Sequence, residues 1–192
     1  TRLGLRQIPC FDIRQQCAAF LYGLQLADAH IKSGMAKTVL LVAAEVHTGF
    51  MPFSPKTWDV IHGRDPGPVS PEEYEWNSRF RHLLVLFGDG AAAVVIKAHE
   101  GDDRGIVETI VKGDGKYLEK LYVPGTGFRF RPYTGPEQCA ACQRVPVMDG
   151  KVVFKMATTK MIEVSTEVMK RHGVSVSDLS LVLMHQANMR IN

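Results

Sequence analysis

Apolar positions along this chain alternate between strand-like runs and a helical period. Ile8 to Ile13 has the composition of a brief strand and ends in Arg14, Gln15 and Gln16. Cys17-Ala18-Ala19-Phe20 then opens a stretch with no charge as far as Leu24. Gln25, Asp28 and Lys32 share one face by their spacing of three and four residues. The pattern predicts a helix over 17–33 that starts deep in the protein and emerges toward Ser33-Gly34, where the glycine caps it. Thr38 to Ala44 (TVLLVAA) is continuously apolar and predicts a strand buried on both faces. Strand, helix and strand in this order form a βαβ unit with a right-handed crossover.

The pattern breaks from Gly49 to Arg81, where Pro52, Pro55, Pro66, Pro68 and Pro71 recur beside both tryptophans, Trp58 and Trp76. Such a stretch reads as an irregular cover over a site or as a surface insertion. His82 to Leu86 resumes apolar character, Phe87-Gly88-Asp89-Gly90 reads as a tight turn, and Ala91 to Ile96 reads as a strand. Together they predict a hairpin, or two strands meeting under a catalytic floor. His99 to Arg104 (HEGDDR) is a polar break that divides the chain into halves 1–99 and 100–192. Gly105 to Val111 predicts a strand. Tyr122 to Met148, with Gly125, Gly127, Arg129 and Arg131, predicts a surface loop. From Lys151 to Arg171, Val153, Ala157, Met161, Val164 and Val168 fall on one stripe, and Gly173 ends the helix. Leu179 to Met184 (LSLVLM) predicts another buried strand, with His185 at its end.

Composition narrows the function classes. The 192 residues are 45% hydrophobic and 22% charged, an ordinary globular balance. A net charge of +3 does not argue for nucleic acid, though a local basic patch suits an acidic partner. Four cysteines in a chain of this length do not make a disulfide scaffold. With no apolar run of spanning length and no signal-peptide pattern, the reading is a cytoplasmic protein without a membrane segment. The chain starts without methionine and stops at Arg190-Ile191-Asn192, so it reads as cut at both ends.

Cys17 is the first candidate for chemistry. A thiol at a helix start meets N–H groups and the positive end of the helix dipole, which favour the thiolate that a nucleophile needs. The alternative is a small buried core residue. His185, at the carboxyl end of an apolar run, stands where open α/β sheets place ligand-handling residues. Paired with Cys17 it becomes a candidate base or hydrogen-bond donor. Lys151 and Lys155 repel each other on the first turns of their helix and oppose its dipole, a cost that an anionic partner would relieve; the alternative is a plain solvated face. Cys139-Ala140-Ala141-Cys142 lacks a second pair of ligands at zinc spacing, and no metal is expected.

Several motifs, in order, resemble one known family. FDIRQQCAAFLYGLQLADAHIKSG, LLVAAE, FGDGAAAVVI, MDGKVVFKMA and LMHQANMRI are similar to segments of β-ketoacyl-acyl-carrier-protein synthase III, the initiating condensing enzyme of the thiolase superfamily. The resemblance implies an α/β thiolase-like fold of two pseudo-duplicated βαβαβ halves in layers, incomplete here. Residues 1–99 then fall in the latter part of the N-terminal half and 100–192 in the first part of the C-terminal half. It implies a homodimer with no tightly bound cofactor, whose substrates are acyl-CoA and a phosphopantetheine-linked malonyl group on acyl carrier protein. By the same resemblance, Cys17 takes the acyl group as a thioester, and His185 helps to decarboxylate the malonyl group. Gln186, Ala187, Asn188, Met189 and Arg190 of HQANMR, with Lys155 and Lys151, are implied in substrate or carrier binding. Arg81 stands where the family often stacks an arginine on the CoA adenine, although Phe80 replaces the usual aspartate before it.

Two departures bear on activity. The family's second decarboxylation partner is an asparagine past HQAN, and Asn188 is not that residue. An N-terminal portion and a C-terminal glycine-rich segment of a typical synthase also lie outside the sequence, so residues 1–192 alone are not expected to catalyse condensation. The stretch before FGDG is longer than usual, which keeps open a secondary-metabolite ketosynthase or acyltransferase of the same fold. A non-catalytic truncated subunit is the reading from a different class, and retention of Cys17 and His185 speaks against it.

Overall fold

The computed structural model describes residues 3–101, 104–128, 130–131 and 133–192. Asp102 and Asp103 of the polar break and the loop residue Arg129 lie outside the described residues. Contacts group the chain into two compact units, Thr1–Ala43 with Ala91–Val111, and Ala44–Gly90 with Lys112–Asn192.

In the first unit a 3-10 turn, Gln16–Ala18, runs straight into helix α1, Ala19–Lys32. Gly34 ends the helix at φ +77°, and its N–H donates to the Ile31 carbonyl. The buried residues of α1 are Gly23 and Ala27, in its middle rather than at its start. Gly23 lets the helix approach strand β1, Thr38–Glu45: a Cβ there would stand 2.5 Å from Leu41 Cδ1. The start of the helix is not deep. Cys17 is exposed and Leu21 is 54% exposed. Strand β2, Gly90–Lys97, neighbours β1 in a two-stranded sheet.

Only one face of β1 is covered. Val39, Leu41 and Ala43 are half-buried, while Leu40 and Val42 are exposed, which corrects the expectation of burial on both faces. Ile8–Ile13 and Gly105–Val111 are not ladder strands. Gln7, at φ +51°, turns the chain just before the first of these. The second is held by side chains instead of a ladder. Gln25 Nε2 donates to the Thr109 carbonyl at 3.3 Å, and Lys32 Nζ to the Ile106 carbonyl at 3.5 Å. The polar face predicted for α1 therefore secures a neighbouring segment. Lys32 also pairs with Asp28 across one helical turn at 2.7 Å.

In the second unit the predicted irregular stretch is largely helical. After a 3-10 turn at Thr48–Phe50 come α2, Pro55–Ile61, α3, Pro71–Ser78, and α4, Arg81–Leu84. The physical reason is local. Ser54 and Ser70 each precede a proline, and each hydroxyl accepts the N–H of the residue three on, Thr57 and Glu73 respectively. Serine at the N-cap and proline at the first helical position are strong start signals. Because 82–84 is helical, the expected hairpin does not form, and the partner of β2 is β1.

The core of this unit is small and aromatic. Met51, Leu83 and Val145 are buried, Leu83 to 2% exposure, with Phe50, Phe53, Trp58, Phe80, Leu84 and Phe87 around them. The segment predicted as a loop holds structure of its own. Strand β3, Leu121–Tyr122, pairs antiparallel with β4, Val147–Met148, and α5, Pro136–Ala140, lies between them in sequence. Helix α6, Gly150–Arg171, matches the predicted helix closely, and its five stripe residues are all half-buried. Leu179–Met184 is not a ladder strand, and Leu183 is 86% exposed, so the buried strand predicted there is not observed.

Candidate active site

Cys17 is positioned by a backbone turn. Gln16, immediately before it, adopts φ +43°, a left-handed conformation that costs a residue with a Cβ. Strained residues of this kind are held only where the surrounding structure over-determines them. The turn closes with Ala18 N–H donating to the Gln15 carbonyl at 3.0 Å, and α1 continues from it. Cys17 thus stands at the head of fourteen helical residues, where the helix dipole favours an anion.

His185 lies in the second unit and is exposed. Its carbonyl accepts the N–H of Ala187 at 3.0 Å. The rest of the HQANMR motif folds on itself. Asn188 Oδ1 accepts the Arg190 N–H at 2.9 Å, the Asn188 carbonyl accepts from Ile191, and Gln186 Nε2 donates to the Met184 carbonyl. Asn188 is therefore a turn former here. Met189 and Arg190 are exposed around the turn it makes.

Lys151 and Lys155 are both exposed on α6, and neither ammonium pairs with a carboxylate among the described residues. The dipole cost expected for them is partly met within the fold. Asp149 caps α6, accepting the Val152 N–H at 3.2 Å and pairing with Lys120. The Val152 N–H, then Lys120, hold its carboxyl below the ordinary aspartate range.

Arg81 is exposed and lines a cleft of about 260 Å³ with Phe53, Thr57, Tyr74, Asn77 and Leu84. Neither tryptophan lines it. Trp58 packs on the aromatic core, and Trp76 Nε1 donates to the Pro52 carbonyl at 3.1 Å.

Three polar networks escaped the sequence reading. Glu73 accepts from the hydroxyls of Ser54 and Thr57, which hold its carboxyl below the usual range, and Asn77 Nδ2 donates to Thr57 Oγ1 at 2.8 Å. The Ser-Pro pairs and the serine–glutamate spacing at Ser70 and Glu73 were the available signal for these helices. Asp89 of the FGDG turn accepts from the hydroxyl and N–H of Thr48 and from the N–H of His47. The Thr48 hydroxyl leads in lowering its pKa. The third is the pair Lys112–Glu167, whose ammonium holds the Glu167 carboxyl low.

Among the described residues, no group of three His, Cys, Asp or Glu side chains gathers as a metal site. No helix there is long and apolar enough to cross a membrane.

The profile of the 3-oxoacyl-[acyl-carrier-protein (ACP)] synthase III family matches residues 11–63 and 72–115, just over half of the chain. It runs into the proline-rich stretch from both sides and leaves out only 64–71 there. A β-ketoacyl-[acyl-carrier-protein] synthase III of Rhizorhabdus wittichii is 34% identical over 189 residues, 98% of this chain and 48% of that protein. One from Neisseria meningitidis is 34% identical over 196 residues, 99% of this chain and 49% of its own length. The chain spans about half the length of the curated relatives it matches. Among solved structures, the 3-oxoacyl-(acyl carrier protein) synthase III of Pseudomonas aeruginosa superposes with a TM-score of 0.73 at 28% identity, covering 99% of this chain and 49% of that one. That of Aquifex aeolicus gives 0.71 at 32% identity, covering 99% and 48%.

Proposed function

Because the chain belongs to the 3-oxoacyl-[acyl-carrier-protein] synthase III family, with its thiolase-type α/β fold, we propose that Cys17 is an acyl-accepting nucleophile of a condensing enzyme. The observation that carries this reading is Cys17 at the head of α1, set there by the left-handed Gln16. The Cys17 thiolate attacks the thioester carbonyl of an acyl-CoA, and the CoA thiolate leaves. A malonyl group on acyl carrier protein then loses carbon dioxide. The resulting enolate carbon attacks the Cys17 thioester, and the cysteine thiolate leaves as the β-ketoacyl product forms. His185 donates a hydrogen bond to the malonyl thioester oxygen, where negative charge builds.

The remaining roles belong to the same proposal. Arg81 faces the nucleotide end of CoA. Lys155 and Arg190, with Lys151, meet the acidic carrier protein, and Gln186, Ala187, Asn188 and Met189 shape the turn that presents Arg190. The enzyme works as a cytoplasmic homodimer without a tightly bound cofactor, and residues 1–99 and 100–192 belong to its two pseudo-duplicated halves.

Intact-mass measurement after incubation of the full-length enzyme with short and medium acyl-CoAs tests the reading. An acyl adduct is expected on the native protein and absent from Cys17→Ala. An adduct mapped instead to Cys10, Cys139 or Cys142 overturns it.

A further inference from the structure

Among the described residues, four helices end in a residue with left-handed backbone. At the ends of α1, α2 and α6 that residue is glycine: Gly34 at φ +77°, Gly63 at +69° and Gly173 at +64°. Sterics favour this choice, since a Cβ in the left-handed region crowds the following carbonyl. The exception is α5, where Cys142 holds the position at φ +53°.

The hydrogen bonds show that it is the same motif. At α2, Gly63 N–H reaches the Val60 carbonyl and Arg64 N–H the Asp59 carbonyl. At α6, Gly173 N–H reaches Lys170 and Val174 N–H reaches Met169. At α5, Cys142 N–H donates to the Cys139 carbonyl at 3.1 Å, and Gln143 N–H to the Gln138 carbonyl at 2.9 Å. A cysteine thus sits where α1, α2 and α6 use glycine. Its partner across the closing hydrogen bond is a second cysteine.

That bond fixes the two ends of one closed turn. A turn of this kind brings the first and fourth Cα within about 7 Å, inside the reach of a disulfide. Cys139 is exposed, open to attack by a small reagent, while Cys142 is half-buried against Met51, Leu83 and Val145. Val145 N–H in turn donates to the Cys142 carbonyl at 3.1 Å, tying the turn to the core. Both sulfurs are thiols in this structure.

We propose that Cys139 and Cys142 are a reversible dithiol–disulfide pair, brought together at the end of α5 and oxidised by a low-molecular-weight disulfide. The Cys139 thiolate attacks one sulfur of the reagent, here oxidised glutathione, and expels one glutathione thiolate. The Cys142 thiolate then attacks the Cys139 sulfur and expels the second. Two electrons pass to the reagent, and the two cysteine protons end on two reduced glutathione molecules. The Cys139–Cys142 bond forms as the reagent's sulfur–sulfur bond is consumed. Neither cysteine is the proposed nucleophile Cys17, so the proposal stands apart from acyl transfer.

The test is equilibration in reduced and oxidised glutathione mixtures, acid quench, alkylation and peptide mass spectrometry. The expected result is a 139–142 peptide that loses two hydrogens and its alkylation sites as the mixture becomes oxidising. Its midpoint should not move when protein concentration rises tenfold, because the bond is within one chain. Cys142→Gly, which restores the residue used at the other three helix ends, should leave Cys139 carrying a single glutathione. Full alkylation of both cysteines in the most oxidising mixture overturns the proposal. So do two separate glutathione adducts on the native chain, or bonds from this pair to Cys10, Cys17 or a second chain.

Discussion

Replacing Thr57 by valine removes one oxygen and keeps the shape of the side chain. Thr57 is 5% exposed, and its hydroxyl donates to Glu73 Oε1 at 2.5 Å while accepting from Asn77 Nδ2 at 2.8 Å. Ser54, then Thr57, hold the Glu73 carboxyl below its ordinary range, so at neutral pH it is ionised and only accepts. The single hydroxyl proton of Thr57 therefore goes to Glu73. Asn77 has to present its Nδ2 to a lone pair of that oxygen, and its amide orientation follows. Its Oδ1 then faces elsewhere, buried and without a partner among the described residues.

In Thr57→Val the Asn77 amide loses its one acceptor as well. Leaving a buried donor unsatisfied costs roughly 1–3 kcal/mol, so about 2 kcal/mol of stability should go. With a urea slope of about 2 kcal/mol per molar, the unfolding midpoint falls by about 1 M. Thr57→Ser keeps the hydroxyl and should avoid most of that loss. In an Asn77→Ala background no amide waits to be orphaned, so the valine substitution should cost about 1 kcal/mol less. Equal costs of Thr57→Val in both backgrounds would refute the proton assignment, as would serine behaving like valine.

Charge reversal at Arg190 or Lys155 should raise KM for a carrier-bound malonyl substrate and leave acyl loading of Cys17 largely intact. The native KM should rise with salt, since the encounter is steered by charge, and equal loss of loading would make either residue structural. Acid should act on the unit that holds Glu73, Asp89 and Asp149, whose folded pKa values all lie below their ordinary 4.5, 3.8 and 3.8. Their contribution is complete above those ordinary values and is lost as pH falls through the lower folded ones. The melting midpoint should therefore hold steady from neutrality to about pH 5 and drop below about pH 4; a drop between about pH 8 and 6 would point to histidine instead.

What was legible in the sequence was what local chemistry decides. The α6 stripe and the α1 period each rest on contacts within a few turns, and both helices fall close to where the spacing put them. Proline density suggests irregularity at 49–81, yet Ser54-Pro55 and Ser70-Pro71 are helix starts. The same residue breaks a helix from inside and begins one at its first position. Position, not composition, carries that distinction, and the serine before each proline was the visible clue.

Strands were harder for a physical reason. An apolar run says that a segment seeks cover, but a ladder needs a partner that lies elsewhere in sequence. Gly105–Val111 has apolar residues but no ladder, and two of its carbonyls, those of Ile106 and Thr109, are taken by the Lys32 and Gln25 side chains. The HQANMR turn shows the same limit at the candidate site. Motif resemblance transfers roles by position and treats Asn188 and Arg190 as neighbours facing the substrate. The hydrogen bonds instead make Asn188 the support of Arg190: its Oδ1 holds the Arg190 N–H and its carbonyl holds Ile191. Asn188→Ala should then disturb carrier docking through the turn, with an effect no larger than losing Arg190 itself. The double variant should be little worse than Arg190→Ala alone, because residues acting through one contact are not additive. A double variant whose KM rises by the product of the two single effects would give Asn188 a contact of its own with the substrate.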